Sequence, residues 1–262
     1  MRLPYSLRTA GARLLRHVPV RIRSGPNQGL KWSLASSGRG YGSGRFEAGR
    51  IQALHALVSP GDRVWDLGAH KGYVAMALAR RVGPSGSVVA FEPSGTNLWF
   101  LRRHIDWNAL TNVRILPVAV SDRDGHDQFG GQHSSLTFRL GQGSDRVRVA
   151  TLQSLKVEER LSPPDIMKID VEGSEAAVLR GAGDLLSEET LLYISIHGRS
   201  CYDECHAVLS ERGYRLYEST ALAERLANPS LLWGGDHELL AVGPKHPATE
   251  EIIKSLPCFA AP

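Results

Sequence analysis

At 262 residues, with 42% hydrophobic and 22% charged side chains, the chain has the composition of an ordinary globular protein long enough to bury a sizeable core. Its net charge of +4 is unevenly placed: residues 1–46 carry nine Arg or Lys and no acid, leaving 22 bases against 27 acids in the remainder. Three cysteines make no disulfide framework, no run of 18 apolar residues offers a membrane span, and arginines interrupt every apolar stretch from which a signal peptide could be built, so a cytoplasmic enzyme is expected.

Taken in chain order, residues 1–24 alternate Leu7, Leu14, Leu15 and Val18 with six arginines. The pattern predicts a basic amphipathic helix broken near Pro19, which either caps the main domain or lies on an anionic membrane or nucleic acid. Residues 36–45 form a glycine-rich loop without the Lys-Ser/Thr ending of a nucleotide P-loop. A helix around Ile51–Val58 follows, and Pro60-Gly61-Asp62 turns the chain into a first strand over Val64–Leu67. Strands over Ser87–Phe91, Asn112–Val120, Asp165–Ile169, Leu191–Ile196, Tyr214–Tyr217 and Glu238–Val242 then alternate with helices over 74–80, 95–108, 175–186 and 201–212. Residues 123–150 break this rhythm with short alternating stretches between glycines, as in a β-hairpin insertion. Residues 246–262, with three prolines, read as a tail. The alternation predicts one α/β domain over 46–245 with a mostly parallel sheet, preceded by an arm over 1–45.

The most informative stretch is Trp65-Asp-Leu-Gly-Ala-His-Lys-Gly-Tyr73. A strand passing through a glycine turn into a helix suits a small charged ligand, and the spacing departs from the dinucleotide pattern G-x-G-x-x-G. The acid-first form, Asp66-x-Gly68-x-x-x-Gly72, is that of an S-adenosylmethionine pocket. Polar residues also end the later strands: Glu92, Ser121-Asp122, Asp170 with Glu172, and His197. That edge is where an open parallel sheet binds ligands. Asp66 and the turn Gly68, Ala69, His70, Gly72 and Tyr73 are expected at the amino-acid end of the cofactor. Glu92, beside Pro93, is expected at the ribose hydroxyls, Ser121 and Asp122 at the adenine, and Asp170 near the reacting end.

The motifs Trp65-Asp-Leu-Gly-Ala-His-Lys-Gly72, Ala90-Phe-Glu-Pro93, Ala119-Val-Ser-Asp122 and Lys168-Ile-Asp-Val-Glu-Gly173, with Glu175 beyond, resemble those of the FkbM-type methyltransferases over about residues 40–245. The resemblance implies a class I methyltransferase fold, Rossmann-like, with a seven-stranded sheet, using S-adenosylmethionine to O-methylate a hydroxyl of a sugar, glycolipid or other natural product. Two positions depart from the family's pattern: Gln153 and Ser195 stand where family members usually carry acids.

An alcohol becomes a good nucleophile only as its proton leaves, so a base is needed beside the methyl group. His197 has the ordinary pKa best suited to the task, with Asp170 and Glu172 near it. The alternative use of these three, as ligands of a divalent ion, is possible but less favoured, and Cys201 and Cys205 read as buried thiols rather than zinc ligands. The segments 36–45, 123–150 and 219–237, the last with Trp233, are candidates to roof the acceptor site. The other functions to weigh are nucleic-acid methylation, prompted by the basic arm, and a non-catalytic cofactor-binding protein.

Overall fold

The computed structural model describes residues 14–38, 40–131, 139–228, 237–256 and 259. Residues 1–13 of the arm, Leu136–Phe138 of the insertion, Trp233 and Cys258 fall outside the described residues. The chain opens with strands β1 (Pro19–Arg21) and β2 (Lys31–Ser33), then helix α1 (Ala48–Leu57), β3 (Arg63–Leu67), α2 (Tyr73–Val82), β4 (Ser87–Phe91) and α3 (Gly95–Trp107). Next come β5 (Val113–Leu116), β6 (Ala119–Val120), β7 (Gly125–Gly130), β8 (Arg139–Leu140), β9 (Asp145–Ala150) and α4 (Leu152–Glu158). The second half runs β10 (Ile166–Ile169), α5 (Glu175–Arg180), β11 (Leu191–Ser195), α6 (Arg199–Glu211), β12 (Arg215–Glu218), α7 (Thr220–Ala227), β13 (Glu238–Val242) and α8 (Glu250–Lys254).

Seven strands form one sheet in the order β12-β13-β11-β10-β3-β4-β5. From β11 to β5 all neighbours are parallel, and β13 is antiparallel to both β11 and β12. This is the class I methyltransferase order, with its reversal between β3 and β10, where a crevice opens at the strands' carboxyl ends. Because successive side chains alternate faces, Val64 joins the core packed by α1 and α2, whereas Trp65 and Leu67 join the core packed by α5 and α6. Both faces are covered, which is why β3, β10 and β11 read as nearly unbroken apolar runs.

Four boundaries differ from the sequence reading, each for a local reason. The strand expected over Asn112–Val120 is split at Pro117: β5 stays in the main sheet, and β6 joins a second sheet of order β6-β9-β7-β8 that contains the expected insertion. Proline cannot donate to a ladder, so the chain changes sheets there. The helix expected over 175–186 stops at Arg180, before Gly181, and continues as a single 3-10 turn over Gly183–Leu185. Within the arm, Pro19–Arg21 is a strand pairing with Lys31–Ser33, so the expected helix reaches no further than the exposed Leu14 and Leu15 and the turn after them. Residues read as a tail include α8, whose Ile253 is fully buried, with Leu256 and Phe259 in the same core. No helix among the described residues is long and apolar enough to cross a membrane.

His104, on α3, ties the amino-terminal hairpin to the rest. Its Nε2 accepts from the Ser33 amide at 3.0 Å, its Nδ1 donates to the Lys71 carbonyl at 2.7 Å, and its ring stacks on Trp32. The accepting Nε2 requires a neutral ring, and burial lowers the pKa to about 4. Because the folded pKa lies below the unfolded one, the stability His104 confers is complete above pH 6.5 and is lost as pH falls toward 4. Urea unfolding should therefore find the gap between wild type and His104→Gln narrowing over that window by up to roughly 3 kcal/mol; a gap independent of pH would contradict this assignment.

Candidate functional site

The site is built where β3, β4 and β10 end side by side. Gly68 leaves β3 with φ +76, and a Cβ on it would stand 1.9 Å from the Asp170 carbonyl oxygen, so only glycine lets the two strand ends touch. The following turn is drawn toward β4. The amides of Gly68 and Ala69 both donate to the Phe91 carbonyl at 3.0 Å, the His70 amide donates to Glu92 Oε2 at 2.8 Å, and the Gly72 amide donates to the Ala69 carbonyl.

An open cleft lies against this edge, at the carboxyl ends of the strands where open parallel sheets bind small molecules. Its apolar wall includes Phe91, Val118, Val120, Phe129 and Leu140, the last two from the inserted sheet. One polar end carries Glu92, Pro93 and Asn97, and the other carries Asp170, Glu172 and Ser174, with Gly68 and His70 between. Glu92 is buried and accepts from the amides of His70 and Ser94 and from Asn97 Nδ2. Burial nonetheless raises its pKa to about 7, with those hydrogen bonds opposing the rise. Asn97 was not singled out by the sequence. Its Oδ1 is buried and has no hydrogen-bond partner among the described residues, an acceptor at the cleft that a donor from a ligand would satisfy.

The opposite end is a network of charges. Asp170 Oδ2 accepts from Arg50 at 2.9 Å and lies 3.7 Å from the Lys168 ammonium; these cations, together with His197, outweigh burial and hold Asp170 well below the usual carboxylate range. Arg50, from α1, also binds Glu47 at 2.8 Å and Glu238 at 2.7 Å. Lys168 faces Asp66 across the β10–β3 ladder, 3.0 Å away, and donates to the Leu67 and Gly68 carbonyls. His197 Nδ1 is held by the fully buried Glu175 at 2.8 Å, while its Nε2 lies 3.4 Å from Glu172 Oε2 and 3.7 Å from Asp170 Oδ1. Glu175 also accepts from the Val171 and Gly173 amides and the Cys201 thiol, which fixes its orientation. Glu172 stands in the left-handed region at φ 55, as do Glu47 at 44 and His70 at 50, a local concentration of strained backbone at the site. One ligand atom from each of Asp170, Glu172 and His197 falls within 4.8 Å of the others, a set that could hold a metal ion.

Several expected site residues take other places. Asp66 is fully buried beneath the cleft, paired to Lys168, and does not line it. Four of the turn's five amides are already engaged, so they do not offer the cradle expected for a ligand's charged end. Ala69 and Gly72 face inward, Gly72 against Leu101, and Tyr73 sits among Trp32, Tyr41 and Phe46. Ser121 and Asp122 are carried past the cleft by the switch of sheets after Pro117: Asp122 pairs with Arg180 at 3.3 Å, and the cleft wall comes from Val118–Val120. His197 does not keep the near-neutral pKa that made it the expected base. Burial would lower it, but Glu175, Asp170 and Glu172 together raise it to about 9, so the ring is protonated at neutral pH. Glu172, by contrast, is raised to about 7 by burial despite His197 beside it. Of the segments expected as a roof, 123–150 contributes Phe129 and Leu140 to the cleft, whereas no described residue of 36–45 or 219–237 lines it.

The departure at Ser195 has a structural answer that the sequence did not show. The β11–β13 register places Glu238 directly opposite, and Ser195 Oγ donates to it at 3.2 Å, so an acid occupies that neighbourhood from another strand. Gln153 lies on α4 beside Gly183 and outside the cleft lining.

The sequence profile described as "Methyltransferase FkbM domain" matches residues 66–216. A hexuronic acid methyltransferase, AglP of Haloferax volcanii, is 26% identical over 174 residues, covering 64% of this chain and 69% of that protein. Among solved structures, precorrin-6y C5,15-methyltransferase from Geobacter metallireducens superposes with a TM-score of 0.47 and 14% identity, over 75% of this chain and 89% of that one. Fibrillarin of Aeropyrum pernix, in complex with S-adenosyl-L-methionine, gives 0.45 and 16%, over 73% of each chain.

Arg50 is the cation on which three carboxylates converge. Arg50→Met should lower unfolding free energy by about 3–5 kcal/mol, because it leaves Asp170 and Glu238 buried and short of a partner. A loss below 1 kcal/mol in denaturant titration would show that this network contributes little.

Proposed function

The chain belongs to the FkbM methyltransferase family, matched over residues 66–216, and we propose that it moves the methyl group of S-adenosylmethionine to a hydroxyl oxygen of a sugar-containing acceptor. The observation that carries this reading is the juxtaposition, in one cleft, of Glu92 and the unpartnered Asn97 Oδ1 with a carboxylate–imidazole cluster at the other end. A ribose diol donates two hydrogen bonds, and Glu92 with Asn97 supplies acceptors for them at one end of a cleft with an apolar wall. Phe91, Val118 and Val120 would pack against the base. When bound, S-adenosylmethionine supplies a methyl carbon on a positively charged sulfur, open to in-line displacement.

The chain's own part in the transfer is to place the acceptor and to take its proton. Asp170, fixed by Arg50 and Lys168, stays ionised and marks the boundary between the cofactor and acceptor regions. Glu172 lines the cleft, is partly open to solvent and has its pKa raised to about 7 by burial, although His197 and Arg139 oppose the rise, so it is the carboxylate suited to receive the hydroxyl proton. His197, oriented by Glu175, holds Glu172 in place. The inserted sheet would cover the acceptor through Phe129 and Leu140, which suits a sugar ring presenting both apolar and hydroxylated faces. A sugar acceptor is further supported by the relative named as a hexuronic acid methyltransferase, and hexuronic acids and their glycosides are the acceptors to try first.

Incubation with S-adenosylmethionine and such sugars should give a product carrying one methyl group in place of a hydroxyl proton and stable to mild alkali, as an ether is and an ester is not. An alkali-labile methyl group would contradict the hydroxyl acceptor, and methylation of RNA or DNA with none on any sugar would contradict the sugar. Glu172→Gln should lower kcat by about 10²–10⁴-fold while leaving S-adenosylhomocysteine affinity unchanged; equal losses in both would place Glu172 in cofactor binding instead.

A further inference from the structure

The cluster at the acceptor end has a geometry that proton transfer alone does not require. Six carboxylates, those of Glu47, Asp66, Asp170, Glu172, Glu175 and Glu238, are joined in one network through Arg50, Lys168 and His197. Among these nine groups, even with His197 charged, acids outnumber bases by three, and most of them are buried, where charge is costly. Both oxygens of Asp170 have separate tasks: Oδ2 faces Arg50 and Lys168, and Oδ1 faces His197 Nε2. His197 is anchored from behind, because Glu175, itself fully buried, takes Nδ1. That hydrogen bond keeps a proton on Nδ1 and aims Nε2 at Asp170 and Glu172, so that a cation displacing the Nε2 proton would meet a ring already oriented as carboxylate–histidine pairs orient a metal ligand.

We propose that Asp170 Oδ1, Glu172 Oε2 and His197 Nε2 form a binding site for one divalent cation, whose open positions take two neighbouring oxygens of the acceptor. The cation class rests on donor chemistry and on spacing. Two carboxylate oxygens and one imidazole nitrogen suit Mn²⁺, Mg²⁺ or Fe²⁺, and no thiolate is among the donors. Metal–ligand bonds of about 2.0–2.2 Å place adjacent ligands roughly 3–3.5 Å apart, close to the 3.4 and 3.7 Å observed from Nε2 to its two carboxylate neighbours. Three protein ligands on one side leave the cleft side for substrate, the arrangement of a catalytic rather than a closed structural site. The acceptor chemistry it selects is a hydroxyl with an adjacent hydroxyl or carboxylate, as on a sugar or uronic acid; this last step rests on the acceptor reading above. Glu172 meets the cation through Oε2, which leaves its second oxygen for the hydroxyl proton.

The test is Mn²⁺ binding to the chelator-treated full chain, followed by loss of the free-ion electron paramagnetic resonance signal. One Mn²⁺ per chain is expected, with echo modulation from a single histidine nitrogen. Glu172→Gln and His197→Gln should abolish saturable binding, and Glu175→Gln, which spares all three ligands, should weaken it about 10–100-fold. Retained S-adenosylhomocysteine binding shows which variants are folded, and the histidine modulation in the wild type decides the matter should they fail. No saturable binding, no histidine coupling, or binding unchanged in a folded His197→Gln would overturn the site. Methyl transfer to a sugar that continues undiminished in EDTA would overturn the cation and leave the O-methyltransferase reading intact. Mn²⁺ bound as described by an enzyme that methylates no sugar would do the reverse.

Discussion

Everything at the carboxyl edge of the sheet depends on two buried cations holding acids from different elements. Lys168 on β10 faces Asp66 on β3 and donates to the carbonyls that end that strand, while Arg50 on α1 reaches Asp170 and Glu238. Desolvating so many charges is expensive, and ion pairing with hydrogen bonds only offsets the cost. What the network provides is position. Strand ends that could fray are locked together closely enough that Gly68 and Asp170 meet backbone to backbone, and any side chain at position 68 would force them apart.

This fixed edge separates two kinds of chemistry within one cleft. At the β4 end, Glu92 is buried among backbone donors beside an unsatisfied asparagine oxygen, an environment ready for a polyhydroxylated ligand. At the β10 end, carboxylates crowd a single imidazole, and the result is a strongly acidic pocket whose histidine keeps its proton at neutral pH. The same residue type thus plays opposite parts in this protein. His104, boxed in by a backbone donor, a carbonyl and an indole, stays neutral, and His197, ringed by carboxylates, is charged. Environment rather than identity decides which histidine carries charge at neutrality.

The fold was legible because the apolar runs of the central strands and their spacing from glycine turns are local features. Glu92, Asp170 and Glu172, which follow the ends of β4 and β10, carry the same kind of local signal, and all three line the cleft. The sequence is silent where a neighbour in space decides the placement. Nothing local reveals that Lys168 faces Asp66 across the ladder. Nor does the strand pattern around Pro117 show that the chain changes sheets there and carries Asp122 toward Arg180. Ser195 suggested a missing acid, and only the antiparallel register of β11 and β13 brings Glu238 opposite it. Arg50, Glu175 and Asn97 gave no signal, or only a weak one, because their roles depend on partners on other elements or on a ligand; Glu175 was visible only as part of a motif.

The account stands or falls on the cleft between Glu92 and Asp170 being an S-adenosylmethionine site, and calorimetric titration of S-adenosylmethionine and S-adenosylhomocysteine into wild type and Glu92→Ala tests it most directly. Binding of both ligands by the wild type at micromolar concentration, weakened by at least about 30-fold or roughly 2 kcal/mol in the variant, is the predicted result. Failure of the wild type to bind either, or equal affinity in Glu92→Ala, would contradict it.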